Sequence, residues 1–296
     1  RKRTRLVRRV ARRHPAPMKT AIACLALLAL AAASVALAQE EVSARLGNNS
    51  VSTVRPAAQR SAELDALVAA YPDFLKGHDG DVLVWRDGTR TPTTDPKPTR
   101  TPAELVGSPD IADMFVWTYP LARMPIAPPT NDAGRTRPDA LFLKMYGHCG
   151  TGQVSRNLVK VPWIGGGSVM FTRVNGAATQ LAAVADDLRK LGPDFVRYAS
   201  PSAGTYNCRV IAGTSLRSMH SYGAAIDLNL QYSAYWQWAD KAAHGIAPYR
   251  NQMPIEVIQA FERHGFIWGG RWADFDTMHF EYRPEMIAVA EARAGR

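Results

Sequence analysis

The chain has 296 residues, 46% of them hydrophobic and 21% charged, with 22 Gly and 20 Pro. That balance excludes a disordered, collagen-like or coiled-coil protein, and the length suits one large domain or two small ones. The formal net charge of +10 is local: nine Lys/Arg and no acid fall in residues 1–38, and the remainder holds 27 basic against 26 acidic residues, so nucleic acid is not an expected partner.

The first Met is Met18. Met18-Lys19, an apolar run over 21–37 and Ala36-Leu37-Ala38 before Gln39 form the three regions of a secretory signal peptide. Cleavage is expected after Ala38, with residues 1–17 as an upstream extension. A retained anchor is the competing reading, because the run approaches the length of a short span. Cys24 comes too early in that run for a lipid-attachment site. The expected destination is the periplasm or the exterior, with no membrane span after cleavage.

That compartment gives Cys149 and Cys208 a meaning. An even pair in an oxidising environment suggests a disulfide, worth about 4 kcal/mol in the chain-entropy account. Two buried free thiols are the alternative.

Residues 39–60 are polar and small and read as a flexible entry. A helix is predicted over 61–70 (Leu64, Leu67, Val68), stopped at Tyr71-Pro72, and a strand over 81–86 with Asp87-Gly88 as its turn. The Thr/Pro-rich 89–102 and the Pro-rich 125–138 read as loops. The second separates an N-terminal region, 39–140, from a catalytic domain, 141–296. Further on, 158–164 and 168–174 are predicted as paired strands around Gly165-Gly166-Gly167. Asn175 is placed to cap a helix running to Leu191, with Leu181, Val184, Leu188 and Leu191 at helical spacing and Gly192-Pro193 as its stop. A last helix begins at Pro254 and ends at Gly265, with Ile255, Ile258 and Phe261 facing inward. Helices and short strands without a βαβ rhythm give an α+β class.

Two stretches carry chemistry. In Ser218-Met219-His220-Ser221-Tyr222-Gly223-Ala224-Ala225-Ile226-Asp227-Leu228-Asn229, the part 224–230 alternates like a strand, so Ala225, Asp227 and Asn229 share a face. His220 has the opposite parity and meets Asp227 only if the chain bends, which Gly223 permits. In Asp276-Thr277-Met278-His279-Phe280-Glu281-Tyr282, the strand 278–282 puts His279 and Glu281 on one face, with Phe280 and Tyr282 on the core face. Two imidazoles and a carboxylate are the ligand set of a catalytic zinc with an open position, and also of non-haem iron. A carboxylate beside such a site can take the proton of an attacking water, and Asp276 is the candidate. Glu281 either orients a ligand imidazole or is a solvated strand residue.

The pattern S-x-H-x-x-G-x-A-x-D followed by D-x-x-H-F-E resembles the zinc D-alanyl-D-alanine carboxypeptidase family. That family groups VanY- and VanX-type peptidases with L-alanyl-D-glutamate endopeptidases of phage lysins. The lead-in Trp268-Gly269-Gly270-Arg271-Trp272, and Asp rather than Glu before the last His, are most similar to the endopeptidase branch. The resemblance covers about residues 206–282. It implies a hedgehog/DD-peptidase-like fold in which a small antiparallel sheet with flanking helices carries Zn2+ on His220, Asp227 and His279. Asp276 then stands as the catalytic base and Ser218 as a substrate-positioning group. Arg209, in Gly204-Thr205-Tyr206-Asn207-Cys208-Arg209, stands where the family has an Arg that holds the oxyanion or a substrate carboxylate. The implied substrate is a peptidoglycan stem peptide, cut by a monomer. A non-catalytic zinc-bearing module that binds cell wall or a partner is the rival from another class. An iron oxygenase ranks last, because His and carboxylate are seven residues apart instead of one.

Other groups draw bland readings. Tyr232, Tyr235, Trp236 and Trp238 are expected in the core, although they could wall a groove. His78, His148, His244 and His264 lack partner spacing, and His264 closes a helix. Arg271 is expected at the surface.

Overall fold

The structure, a computed structural model, describes residues 50–121, 131–211, 216–239 and 248–295. The signal-peptide reading of 1–38 and His244 lie outside the described residues. Strand β1 (Val51–Ser52) leads into helix α1 (Ala57–Ala70), which starts four residues earlier than its apolar stripe predicts, directly after Pro56. Glu63, Leu64 and Leu67 face inward, and Tyr71 follows as a buried plug. A meander β2 (Leu75–Asp79), β3 (Val82–Trp85) and β4 (Arg90–Pro92) comes next, then β5 (Thr99–Arg100), which pairs with β1. The stretch 89–102, expected to be loop, therefore holds two short strands. Both are edge strands, where the Pro residues around them cost no ladder bond. Helix α2 (Pro102–Gly107) opens with a capping box between Thr101 and Glu104.

Helix α3 (Asp139–Tyr146) ends at Gly147, whose φ of 87° no other residue adopts easily. The predicted hairpin is present as β6 (Leu158–Pro162) and β7 (Ser168–Thr172), turned through the three glycines. Helix α4 (Ala177–Leu191) buries Leu181, Val184, Ala185 and Leu188. Asn175 does not cap it. Its backbone is left-handed at φ 53°, Gly176 takes the cap position, and the Asn175 Nδ2 donates instead to the Ala70 carbonyl at 2.7 Å. Gly192-Pro193 ends α4, but Pro193 also starts α5 (Pro193–Ala199), since proline suits a first helical turn.

The centre is a three-stranded antiparallel sheet in the order β8 (Ala225–Asp227), β10 (His279–Tyr282), β9 (Phe266–Trp268). Helix α6 (Ile255–Glu262) precedes β9, and α7 (Pro284–Arg293) follows β10. Ile226, Phe280 and Trp268 are cross-strand partners on one face, packed with α4, α6 and the hairpin; the Phe261 and Phe280 rings stack at 3.9 Å. Each such ring contributes about 2–3 kcal/mol by leaving water. The other face is also covered. Ala225 and Ile267 join a second cluster with Leu64, Leu67, Tyr71, Phe142 and Tyr222, so side chains from 64–146 and from 219–290 share one core. The result is an α+β protein whose described sheets are all antiparallel. Among the described residues no helix is long and apolar enough to cross a membrane.

Candidate active site

Asp227 and His279 are direct partners across β8 and β10, so their side chains leave the sheet side by side. His220 arrives from a 3-10 turn, Met219–Tyr222, that is capped by the Ser218 hydroxyl. Gly223 then turns the chain into β8 with φ 65°, and a Cβ there would lie 2.4 Å from Leu158 Cδ2. The bend that the parity of His220 demands is therefore made at Gly223. His220 Nε2, Asp227 Oδ1 and His279 Nδ1 converge: 3.2 Å from His220 to Asp227, 3.1 Å from His220 to His279, and 3.0 Å from His279 to Asp227.

The far nitrogen of each ring decides what faces this centre. His220 Nδ1 lies 2.7 Å from the Thr205 carbonyl, which only accepts, so that nitrogen carries the proton and Nε2 presents its lone pair. His279 Nε2 lies 2.9 Å from Glu281 Oε2, so its proton points to Glu281 and Nδ1 presents a lone pair inward. Two lone pairs and a carboxylate oxygen at this separation suit a cation held among them. Burial opposes ionisation of Asp227, but the His220 and His279 imidazoles against it hold its carboxyl far below the ordinary range. Burial likewise disfavours charge on His279, yet the carboxylates of Asp227 and Glu281 on either side favour it. The surroundings draw positive charge to this point. The imidazoles are buried while the Asp227 side chain is 24% exposed, so the centre opens to solvent on the carboxylate side. These donors fit a zinc ion with a free position.

Asp276 sits at the end of a loop that the glycines make possible. Its N–H donates to the Gly269 carbonyl at 3.0 Å, and a Cβ on Gly269 would lie 2.5 Å from the Asp276 carbonyl oxygen. A Cβ on Gly270 would lie 2.1 Å from the Trp268 ring. The Asp276 Oδ1 is buried without a hydrogen-bond partner. Burial pushes this carboxyl up to about 6, while the charges of His279, Arg135 and His220 pull it back. A carboxyl poised there can accept and return a proton near neutral pH.

Other expected groups take varied places. Ser218 is buried, with its hydroxyl accepting the His220 N–H at 3.4 Å. Arg209 is exposed; its backbone N–H donates to the Ser221 hydroxyl at 3.0 Å, and its charge acts on Tyr235. Cys149 and Cys208 form a disulfide that anchors the residue beside Arg209. The aromatic set divides. Trp236 is buried against Phe275, whereas Tyr235 pairs by backbone with Asp276 and Trp238 is 61% exposed. Glu281 is fully buried and is no solvated strand residue. Arg271 is only 2% exposed, which corrects its surface placement: its Nε donates to Glu262 at 2.7 Å, and its guanidinium faces Tyr119 and Trp268. His264 and His78 meet Asp187 and Asp65, and His148 accepts from Arg217 at 2.7 Å.

The sequence reading missed the segment 131–137. Asn131 and Asp132 hold the backbone N–H groups of Ala273 and Asp274, and Arg135 donates to the Asp274 carbonyl at 3.0 Å, so this segment laces down the loop that ends in Asp276. Arg137 is buried and donates to Glu281 at 2.7 Å. Two arginines inside a Pro-rich stretch were the available signal, and composition alone read it as loop. The Thr205 carbonyl is a backbone group and leaves no mark in the sequence.

The sequence profile of a family described as D-alanyl-D-alanine carboxypeptidase matches residues 212–282. The matched part contains His220, Asp227, Asp276, His279 and Glu281 but not Arg209, Arg135 or Arg137. No curated protein and no solved structure matches the chain.

Proposed function

We propose that this chain, with residues 212–282 matching the D-alanyl-D-alanine carboxypeptidase family, is an exported zinc peptidase that hydrolyses peptidoglycan stem peptides. The observation that carries the reading is the convergence of His220 Nε2, Asp227 Oδ1 and His279 Nδ1 with both imidazole protons turned outward. These three would hold the metal, in a hedgehog/DD-peptidase-like catalytic domain. Zinc bound there would polarise the scissile carbonyl and make an attacking water easier to deprotonate.

Asp276 takes the proton of that water through its unpartnered Oδ1 and later returns it to the leaving amine. Arg209 holds the oxygen that becomes negative, or a carboxylate of the substrate, from the exposed side. Ser218 keeps His220 in place through its cap and would help to position the substrate amide. The disulfide supports an oxidising compartment, hence the periplasm or the exterior.

The test is mass spectrometry of defined muropeptides incubated with the purified protein, with and without a chelator. Chelator-sensitive loss of one alanine establishes a carboxypeptidase, and splitting between L-Ala and D-Glu establishes the endopeptidase. Metal binding without cleavage of any bond overturns the enzymatic reading in favour of a binding module.

A further inference from the structure

Glu281 has both carboxylate oxygens engaged. Oε2 receives the His279 Nε2 proton at 2.9 Å and Arg137 Nη1 at 2.7 Å, while Oε1 receives Arg283 Nη1 at 3.1 Å. All of these groups are buried. Arg137 arrives from far upstream, outside the matched segment. Gly134 presses the chain that carries it onto the sheet: a Cβ there would lie 2.3 Å from Ile267 Cδ1, and its carbonyl accepts the same Arg283 Nη1 at 2.9 Å. The Arg137 guanidinium lies 5.9 Å from the centre of the Trp272 ring, and that ring lies 5.4 Å from His279.

We propose that Arg137 is a positioning residue for the metal centre: it fixes Glu281 against His279 Nε2, so that Nδ1 keeps its lone pair on the shared point with His220 and Asp227. The N-terminal region thereby supplies a working part of the site, which the matched segment by itself lacks. This inference rests on the zinc-site reading above.

A carboxylate held by one arginine alone can rotate about its last bond. The His279 ring then loses the acceptor that sets its tautomer and angle. A partner of this kind changes metal affinity by about 10–100-fold.

The test uses the full chain and Co2+ and Zn2+ themselves. Affinity is measured by chelator competition, the cobalt spectrum reports ligand geometry, and the melting temperature of the metal-free protein reports folding. Arg137→Met is expected to weaken both metals about 10–100-fold and to alter the cobalt spectrum, with Arg137→Lys recovering part of the affinity. Glu281→Gln is expected to weaken binding similarly, and adding Arg137→Met to it to cost no further affinity. Wild-type affinity and spectrum in Arg137→Met, with only a lower melting temperature, overturns the proposal and leaves the metal site standing. If Arg137→Met does not fold, Glu281→Gln decides alone: unchanged metal affinity and spectrum overturn the proposal. Failure of the wild-type chain to bind either metal overturns the zinc reading itself.

Discussion

His279 Nδ1 and Asp227 Oδ1 meet at 3.0 Å because the two residues are paired across the antiparallel strands β10 and β8. Register, not loop geometry, sets their separation. A slip of one residue between the strands would send one of the two side chains to the opposite face, among the hydrophobic Phe280, Ile226 and Trp268. The aromatic packing of that face therefore protects the register of the site. His220 alone depends on a turn, and the Thr205 carbonyl and the Ser218 cap hold that turn in place.

Replacing His220 by Ala removes one of three converging donors while Asp227 and His279 remain on the sheet. The variant is expected to fold and to lose its metal during purification, together with chelator-sensitive turnover. Metal analysis of the purified variant checks this, and full occupancy would remove His220 from the ligand set.

Asp276→Ala separates chemistry from binding. The Asp276 side chain touches none of the three donors through a hydrogen bond, and its Oδ1 has no partner to lose. Metal content should stay at the wild-type level while turnover falls by about 10²–10⁴-fold, the usual contribution of a positioned base. Equal turnover at equal metal loading would show that the proton goes elsewhere.

The parts of the site that lie within one local pattern were legible in the sequence. Alternation put Ala225 with Asp227 and His279 with Glu281, and parity required the bend at Gly223. What alternation could not report is burial on both faces. Arg271 read as a surface group, and Glu281 stayed between orienting an imidazole and facing solvent, because their partners, Glu262 and Arg137, come from other elements. Asn175 misled for a related reason: its side chain serves a tertiary contact with Ala70 instead of its own helix. The strands within 89–102 escaped notice because edge positions tolerate the prolines that normally argue against a strand.

Gly269 tests whether the loop must approach as closely as it does. A Cβ at 2.5 Å from the Asp276 carbonyl oxygen is backbone contact that no side-chain rotation relieves. Gly269→Ala is expected to cost about 1–3 kcal/mol of stability and to move Asp276 away from the centre, lowering turnover more than metal affinity. Gly77→Ala is the control, since a Cβ there meets nothing within 4 Å. Denaturant unfolding of both variants, with turnover measured alongside, gives the comparison.

The Cys149–Cys208 bridge closes a span of 59 residues in sequence. Replacing both cysteines by Ser is expected to lower stability by about 2–5 kcal/mol. It also frees the segment that carries Arg209, so the Michaelis constant should rise with metal affinity unchanged. Unfolding curves of the variant and of the reduced wild type should agree; if neither differs from the oxidised protein, the bridge is dispensable.

Asp187 on α4 supplies the pH prediction. Its carboxylate accepts from Lys190 Nζ at 2.9 Å, from His264 Nε2 at 3.1 Å and from Arg263 Nη2 at 3.2 Å, tying α4 to the end of α6. The bonds from Lys190, His264 and Arg263 outweigh burial and hold its carboxyl well below the ordinary Asp value of 3.8. A carboxyl depressed in the folded state stabilises it fully above the unfolded value, and that contribution is lost as pH falls through the lowered one. The side chain is partly exposed, so the stabilisation at neutral pH is about 0.5–1 kcal/mol, not the larger figure the shift alone suggests. Asp187→Asn should therefore be less stable than wild type at pH 7 by about that amount, with the gap narrowing below pH 3.8. Urea unfolding of both proteins across acidic and neutral pH measures the gap, and a difference that stays constant throughout would show that the Asp187 charge plays no part.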